Sequence, residues 1–401
     1  MTYQAILVAS MILLLAFAIE HIGARLGFPS AALLIATGLI AKPSLAALDL
    51  SIVGLDAVVP VIGTVGLVLI VLEGALDIEL RRERLQSASG ALLMAVVGFA
   101  ACAAIFAVLI AMAMPLSPIQ ALAAAIPFAV ISSAVAIPSS SFLPPHGREF
   151  VVYESSVSDI LGVMVFFSLV ESDGTLAGAL SSLAGGSLLS LFLAAACALG
   201  LTVTMFRIDG HIRFIPLLAG MFGLYAIGKL FHLSPLIMVL LFGLALNNPE
   251  LITRFRPFRN WLDSSYAATL SEFKLLTAEM TFSVRGFFFI LLGYWTDLSS
   301  LASFHAWIAA LLALLVIYGS RRILLSVAPI EFELIDALTW LAPRGLITVL
   351  LFLAAKDALP LPAFMEGTVM LVVLISAVTT TLAPRCWDVA QAKPHAIDPA
   401  L

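Results

Sequence analysis

An all-α integral membrane protein of about thirteen transmembrane helices is the fold class this sequence predicts, on three observations. Of 401 residues, 62% are hydrophobic and only 11% are charged, whereas a soluble domain carries about 25% charged residues. The mean hydropathy is +1.12, and a water-exposed globule of that composition would present large apolar patches and aggregate. Apolar runs bounded by charge, Gly and Pro recur along the whole chain, and the basic residues fall in alternate connections between them.

The runs lie near 3–20, 28–41, 56–75, 89–114, 119–143, 150–170, 177–206, 213–231, 233–247, 268–293, 302–326, 333–355 and 362–384. Some, such as 28–41, are shorter than the roughly 20 residues a straight crossing needs, so they are tilted and extended or packed inside the protein. Connections after odd-numbered spans carry Arg25, Arg81, Arg82, Arg84, Arg148, Arg207, Arg213, Arg254, Arg256 and Arg259, and Arg385 and Lys393 follow the last span. Connections after even-numbered spans carry only Lys42, Lys229 and Lys356. Basic loops stay in the cytoplasm, so the N-terminus is expected outside and the C-terminus inside, with the prokaryotic inner membrane as the setting. The first span lacks a basic n-region and a cleavage site and is expected to be retained. With a tail of only 386–401, neither an ATP-hydrolysing nor a nucleotide-binding domain is expected, and an ion gradient is the expected energy source.

Several function classes are disfavoured. The chain holds 20 Lys+Arg against 25 Asp+Glu, which points away from nucleic acid. Cys102, Cys197 and Cys386 fit no metal or disulfide spacing. His21, His146, His211, His232, His305 and His395 fall at span ends or in loops with no shared spacing, so neither an enzyme nor a bound cofactor is expected.

An ionisable residue inside a span costs about 2.5–3.5 kcal/mol on insertion scales and marks a functional site by default. The candidates are Glu73 in the third span, Glu154 and Asp159 in the sixth, Glu279 and Arg285 in the tenth, Arg321 and Arg322 in the eleventh, and Asp336 and Arg344 in the twelfth. Glu73 and Asp336 lie near span ends and can reach headgroups; Arg321 or Arg322 can snorkel. Asp159 sits near mid-membrane. Ser155 lies four residues before it on the same helix face, and Glu154 and Ser158 share the adjoining one. Carboxylates and hydroxyls so gathered are the oxygen ligands a hard monovalent cation takes. Two bare carboxylates that close repel, and a buried arginine that keeps its charge would neutralise one.

Two spans are interrupted. The fifth reads Ala129-Val-Ile-Ser-Ser-Ala-Val-Ala-Ile-Pro138 between Pro127 and a serine run, and the twelfth reads Trp340-Leu-Ala-Pro343-Arg344-Gly345. Each is fifth in a set of six. The domain reading is therefore a first six-helix repeat over 1–170, a linker helix within 171–212, a second, inverted repeat over 213–385, and the tail. Scaffold helices are spans 1–3 and 8–10; core helices are spans 4–6 and 11–13. Interrupted helices at matching places in two halves point to a transport site at the membrane midplane.

On these residues the chain resembles the cation:proton antiporter superfamily, nearest its electroneutral sodium/proton exchanger branch. The resemblance spans nearly the whole chain. It rests on Val71-Leu-Glu-Gly-Ala-Leu-Asp77 before Arg81-Arg82, on Glu154-Ser-Ser-Val-Ser-Asp159, on Arg285-Gly-Phe-Phe-Phe-Ile-Leu-Leu-Gly293, on Arg322, and on Pro343-Arg344-Gly345. It implies that Asp159 carries the cation and the proton, with Ser155, Ser158 and Ser133 as ligands. It implies that Glu154 pairs with an eleventh-span arginine, Arg322 in preference to Arg321. Pro138, Arg344 and Gly345 would mark the crossover of two unwound helices, with Glu73 and Arg285 as secondary site candidates. A homodimer is implied, with exchange of Na⁺ (K⁺ or Li⁺ remaining open) for H⁺ in the service of pH homeostasis. Two departures stand out. The family's Thr-Asp-Pro is read here as Ala136-Ile137-Pro138, without its carboxylate. The Asn before the key aspartate is Ser158, which leaves one cycling charge and favours electroneutral exchange. The rival reading is a sodium-coupled organic-anion symporter of related fold, which would want more Asn, Gln and Thr near spans 5 and 12.

Overall fold

A computed structural model describes residues 2–26, 28–47, 55–77, 89–170, 214–230, 235–249, 265–328 and 332–392, with a few isolated positions between 178 and 200. Among the described residues all regular structure is helical. The helices are α1 (Thr2–Leu26), α2 (Ser30–Ala47), α3 (Leu55–Asp77), α4 (Ser89–Ala113), α5 (Pro118–Ala129), α6 (Ser133–Ser139), α7 (Pro145–Val170) and α8 (Phe214–Leu230). They continue as α9 (Pro235–Asn247), α10 (Ser265–Trp295), α11 (Leu298–Leu301), α12 (Phe304–Val327), α13 (Phe332–Trp340), α14 (Leu346–Ala358), α15 (Phe364–Thr379) and α16 (Leu382–Ala392). Apart from those isolated positions, the expected linker span, 177–206, lies outside the described residues. Two short helices were not expected: α11, and α16, which follows a bend at the end of the thirteenth span and packs on α13.

Six of the described segments are long and apolar enough to cross a membrane, among them Ser89–Ala113, Pro118–Ser139 and Pro145–Val170. Lipid inverts the usual patterning, because the outer face of a helix is as apolar as its packed face. On α4 the buried positions Ala91, Met94, Ala95, Phe99, Cys102, Phe106 and Ile110 recur every three or four residues, while Leu93, Val97, Val108 and Met112 are exposed. On α12 the buried stripe is Ala306, Ala310, Ala313, Ile317, Arg321 and Leu325, and the outer face carries Trp307, Leu311, Leu315 and Ile323.

The packing separates two sets of helices. In one, α2 and α3 both lie against α10, α1 joins α10, α9 packs on α3, and α8 packs on α9. Gly38 and Gly293 let α2 and α10 approach closely, since a Cβ at Gly38 would strike the Ile290 carbonyl and one at Gly293 the Ile35 carbonyl. In the other, α4 packs on α5, α7 and α12, and α12 packs on α13 and α15. The sets meet where α7 touches α3 and α9, α14 touches α3, and α15 touches α2.

Two of the expected spans are broken, α5/α6 and α13/α14. α5 opens on a capping box: Ser117 Oγ accepts from Gln120 N (3.3 Å) and Gln120 Oε1 accepts from Ser117 N (3.0 Å), with Pro118 in the first turn. It ends at Ala129, and Val130–Ser132 run extended before α6. The break is therefore not at Pro138, which lies inside α6 one residue before its end. Pro127 likewise stays inside α5. A proline deletes one donor, but the chain parts where other groups take over the freed backbone.

Candidate functional site at the helix crossover

The two unwound segments cross and bond to each other. Ser132 N donates to Pro343 O (2.9 Å). Gly345 lies against Ser132 so closely that an added Cβ would come 2.7 Å from Ser132 Cβ. Only the absence of a side chain lets the strands pass. Ile131 N donates to Ser158 Oγ of α7 (3.0 Å), and Arg344 N donates to Ser376 Oγ of α15 (2.9 Å). Backbone groups that a continuous helix would satisfy are thus taken by neighbours, as burial requires.

Arg344 serves the carbonyls. It is buried, and its Nε donates to Phe128 O (2.7 Å) near the C-terminus of α5, while its Nη1 donates to Ala342 O (3.1 Å). Its Nη2 lies 3.9 Å from Cys102 Sγ. A cation at the negative end of a half-helix is electrostatically favoured.

Asp159 faces the opposite kind of end. Its Oδ2 accepts from Ser133 N (3.1 Å) and Ser133 Oγ (2.5 Å), so the first turn of α6 is aimed at the carboxylate. Its Oδ1 is buried and has no hydrogen-bond partner. Asp159 as a whole is buried in the protein rather than in lipid.

Five residues before it, Glu154 is held by Arg321. Nη1 and Nη2 donate to Oε1 and Oε2, each at 2.7 Å, and Nε donates to Leu338 O of α13 (2.7 Å). This corrects the expected partner. Arg322 instead pairs with Asp336, and both are about half exposed, at 46% and 48%. The reason is helical register: Arg321 continues the buried stripe of Ala310, Ala313 and Ile317, and Arg322 points one position round, outward.

The other expected site residues divide. The structure brings Ser133 onto Asp159. It does not bring Ser155, whose hydroxyl donates to Val151 O (2.7 Å) of its own helix, nor Ser158, whose oxygen is given to Ile131 N. Arg285 pairs with Glu20 of α1 (3.4 Å). Glu73 is half-buried on α3, with Arg285 and Asp77 as its charged neighbours. Arg321 was the second choice of the sequence reading as partner of Glu154, and two groups escaped it: Ser376 as acceptor for the Arg344 amide, and Ser156, whose buried hydroxyl has no partner among the described residues. No group of three His, Cys, Asp or Glu side chains suited to a resident metal occurs among the described residues.

Solved structures of the sodium/proton antiporter MjNhaP1 from Methanocaldococcus jannaschii share this architecture. One, at pH 8, superposes with a TM-score of 0.72 at 19% identity, over 98% of this chain and 99% of that one. Another, by electron microscopy, gives 0.71 at 20% identity over the whole of both chains. A comparison with curated proteins found no match. The family described as sodium/hydrogen exchanger, transmembrane, matches residues 10–387, and the chain belongs to that family.

Proposed function

We propose that this protein exchanges a monovalent cation, Na⁺ foremost, for H⁺, with Asp159 holding one or the other in turn. The observation that carries the reading is the state of the Asp159 carboxylate. One oxygen is fixed by Ser133, and the other is buried with no partner. A buried carboxylate oxygen costs free energy unless something satisfies it, and a proton or a cation each does so. Ser133 Oγ, a hydroxyl in contact with the carboxylate, can turn its lone pairs to a bound cation.

Glu154 is neutralised by Arg321 and Ser158 is uncharged, so one charge cycles and exchange is electroneutral. The set of helices around the crossover moves against the set built on α10, and the sliding surface runs between α7 and α3/α9. This alternating access is arranged as two inverted repeats in a homodimer, with the N-terminus outside and the C-terminus cytoplasmic. The experiment is direct. Purified protein in liposomes under an imposed proton gradient is given Na⁺, K⁺ and Li⁺ in turn while lumenal pH is followed. The expected result is cation-dependent proton movement that Asp159→Asn abolishes while the variant stays folded. Wild-type rates from Asp159→Asn would sink the carrier assignment.

A further inference from the structure

Three lysines lie on the face that the basic-residue asymmetry puts outside, and they are not alike. Lys42 pairs with Asp297 (3.2 Å) and Lys356 with Glu366 (2.7 Å). Lys229, at the end of α8, has no carboxylate partner among the described residues. Its Nζ stands 5.7 Å from the centroid of the Phe167 ring, within the range of a cation–π contact.

That ring borders a small cleft of about 20 Å³, room for about one water molecule, between α7 and the α8–α9 pair, lined by Val163, Met164, Phe167, Tyr225, Lys229 and Leu236 among others. On α7, Val163 is one turn beyond Asp159 and Phe167 two, so the cleft runs along ~6 Å of that helix and its near end lies ~6 Å along the axis from Asp159. It lies between the two helix sets. Its wall is otherwise apolar, and Lys229 brings the one charge among the described residues that line it.

We propose that Lys229 is an electrostatic filter at the mouth of the outer route to Asp159, lowering the local concentration of cations there. This rests on the exchange reading above. A fixed positive charge roughly 10 Å from an ion, in surroundings between water and protein interior, changes the ion's local occupancy by roughly two- to tenfold. Added salt screens such a charge.

The test has two arms. In the first, cation dependence is measured from each side of oriented liposomes. Lys229→Gln is expected to lower the half-saturating Na⁺ concentration on the outer side by about two- to tenfold at low ionic strength. Lys229→Glu should lower it further, Lys229→Arg should match the wild type, and choline chloride should erase the differences. An effect equal on both sides, indifferent to choline chloride, or absent overturns the proposal. The second arm does not depend on transport. Met164→Cys is labelled with a cationic and an anionic methanethiosulfonate, and rates are read against the parent chain. Lys229 should favour the anionic reagent, and Lys229→Gln should abolish that preference. No preference overturns the filter. A preference in a wild-type protein that exchanges no cation would instead locate the failure in the proposed function.

Discussion

Arg321 grips both carboxylate oxygens of Glu154 at 2.7 Å and spends its remaining edge on Leu338 O, so one guanidinium ties α12 to α7 and to the end of α13. With 5% and 2% exposure, each residue alone would be an orphan charge in a dry interior. Removing one partner of such a pair costs about 3–5 kcal/mol. Glu154→Ala and Arg321→Ala are each expected to lose that much in thermal or denaturant unfolding. The double variant should lose markedly less than the sum. Arg322→Ala, which breaks an exposed pair, should lose no more than about 1 kcal/mol. Additive losses in the double variant would refute the coupling.

The serines around Asp159 separate by what their hydroxyls hold. Ser133 gives Asp159 two donors, one of them its side chain. A hydrogen bond to a charged group contributes about 1.5–3 kcal/mol. Ser133→Ala should therefore raise the half-saturating Na⁺ concentration by roughly ten- to a hundredfold at fixed pH. Ser155 donates to Val151 O, and Ser155→Ala should leave cation affinity within about twofold of the wild type. Equal effects of the two substitutions on cation-stimulated proton flux would count against the Ser133 assignment.

Charge in an apolar span is conspicuous, which is why Asp159, Glu154 and both interrupted spans were legible in the sequence. Register was not read. Two adjacent arginines look alike until the helix face is fixed, and the clue lay in Ala306, Ala310 and Ala313 opposite Trp307, Leu311 and Leu315. In a membrane the small residues face protein and the large ones face lipid, so that contrast already favours Arg321. The prolines of the fifth span do not mark its break. Pro127 and Pro138 sit inside α5 and α6. The chain parts at Val130–Ser132, where Ser158, Pro343 and Asp159 receive the amides of Ile131, Ser132 and Ser133. Those are tertiary contacts that a local reading does not contain.

The crossing itself depends on a missing side chain. Gly345→Ala puts a Cβ into Ser132, and overpacking of this kind costs about 1–3 kcal/mol. The variant should lose that much stability together with most of its transport. Ser132→Gly removes the obstructing atoms, so the double variant should regain stability toward the level of Ser132→Gly alone. Failure of that rescue would mean that the clash is not at the crossing. Arg344→Gln, beside it, takes the cation from the Phe128 and Ala342 carbonyls. It should impair transport more than Arg344→Lys, which keeps the charge.

One cycling charge has a consequence that can be measured without any substitution. If Asp159 carries either Na⁺ or H⁺ while Glu154 remains locked to Arg321, the loaded carrier has the same charge in both directions. A membrane potential then does no net work on the cycle. Transport at fixed ion gradients should keep the same equilibrium position when the potential is stepped with valinomycin and K⁺. Were a second charge to move, each 100 mV would add about 2.3 kcal/mol per charge, a shift of roughly fiftyfold in the gradient that balances exchange. Releasing Glu154 should create that second charge. In Arg321→Gln, provided the protein folds, the freed Glu154 can bind a proton of its own, and a dependence on potential should then appear. An electrogenic wild type would contradict the neutralised-pair account. An electroneutral wild type that turns electrogenic in Arg321→Gln would tie the stoichiometry to this one ion pair.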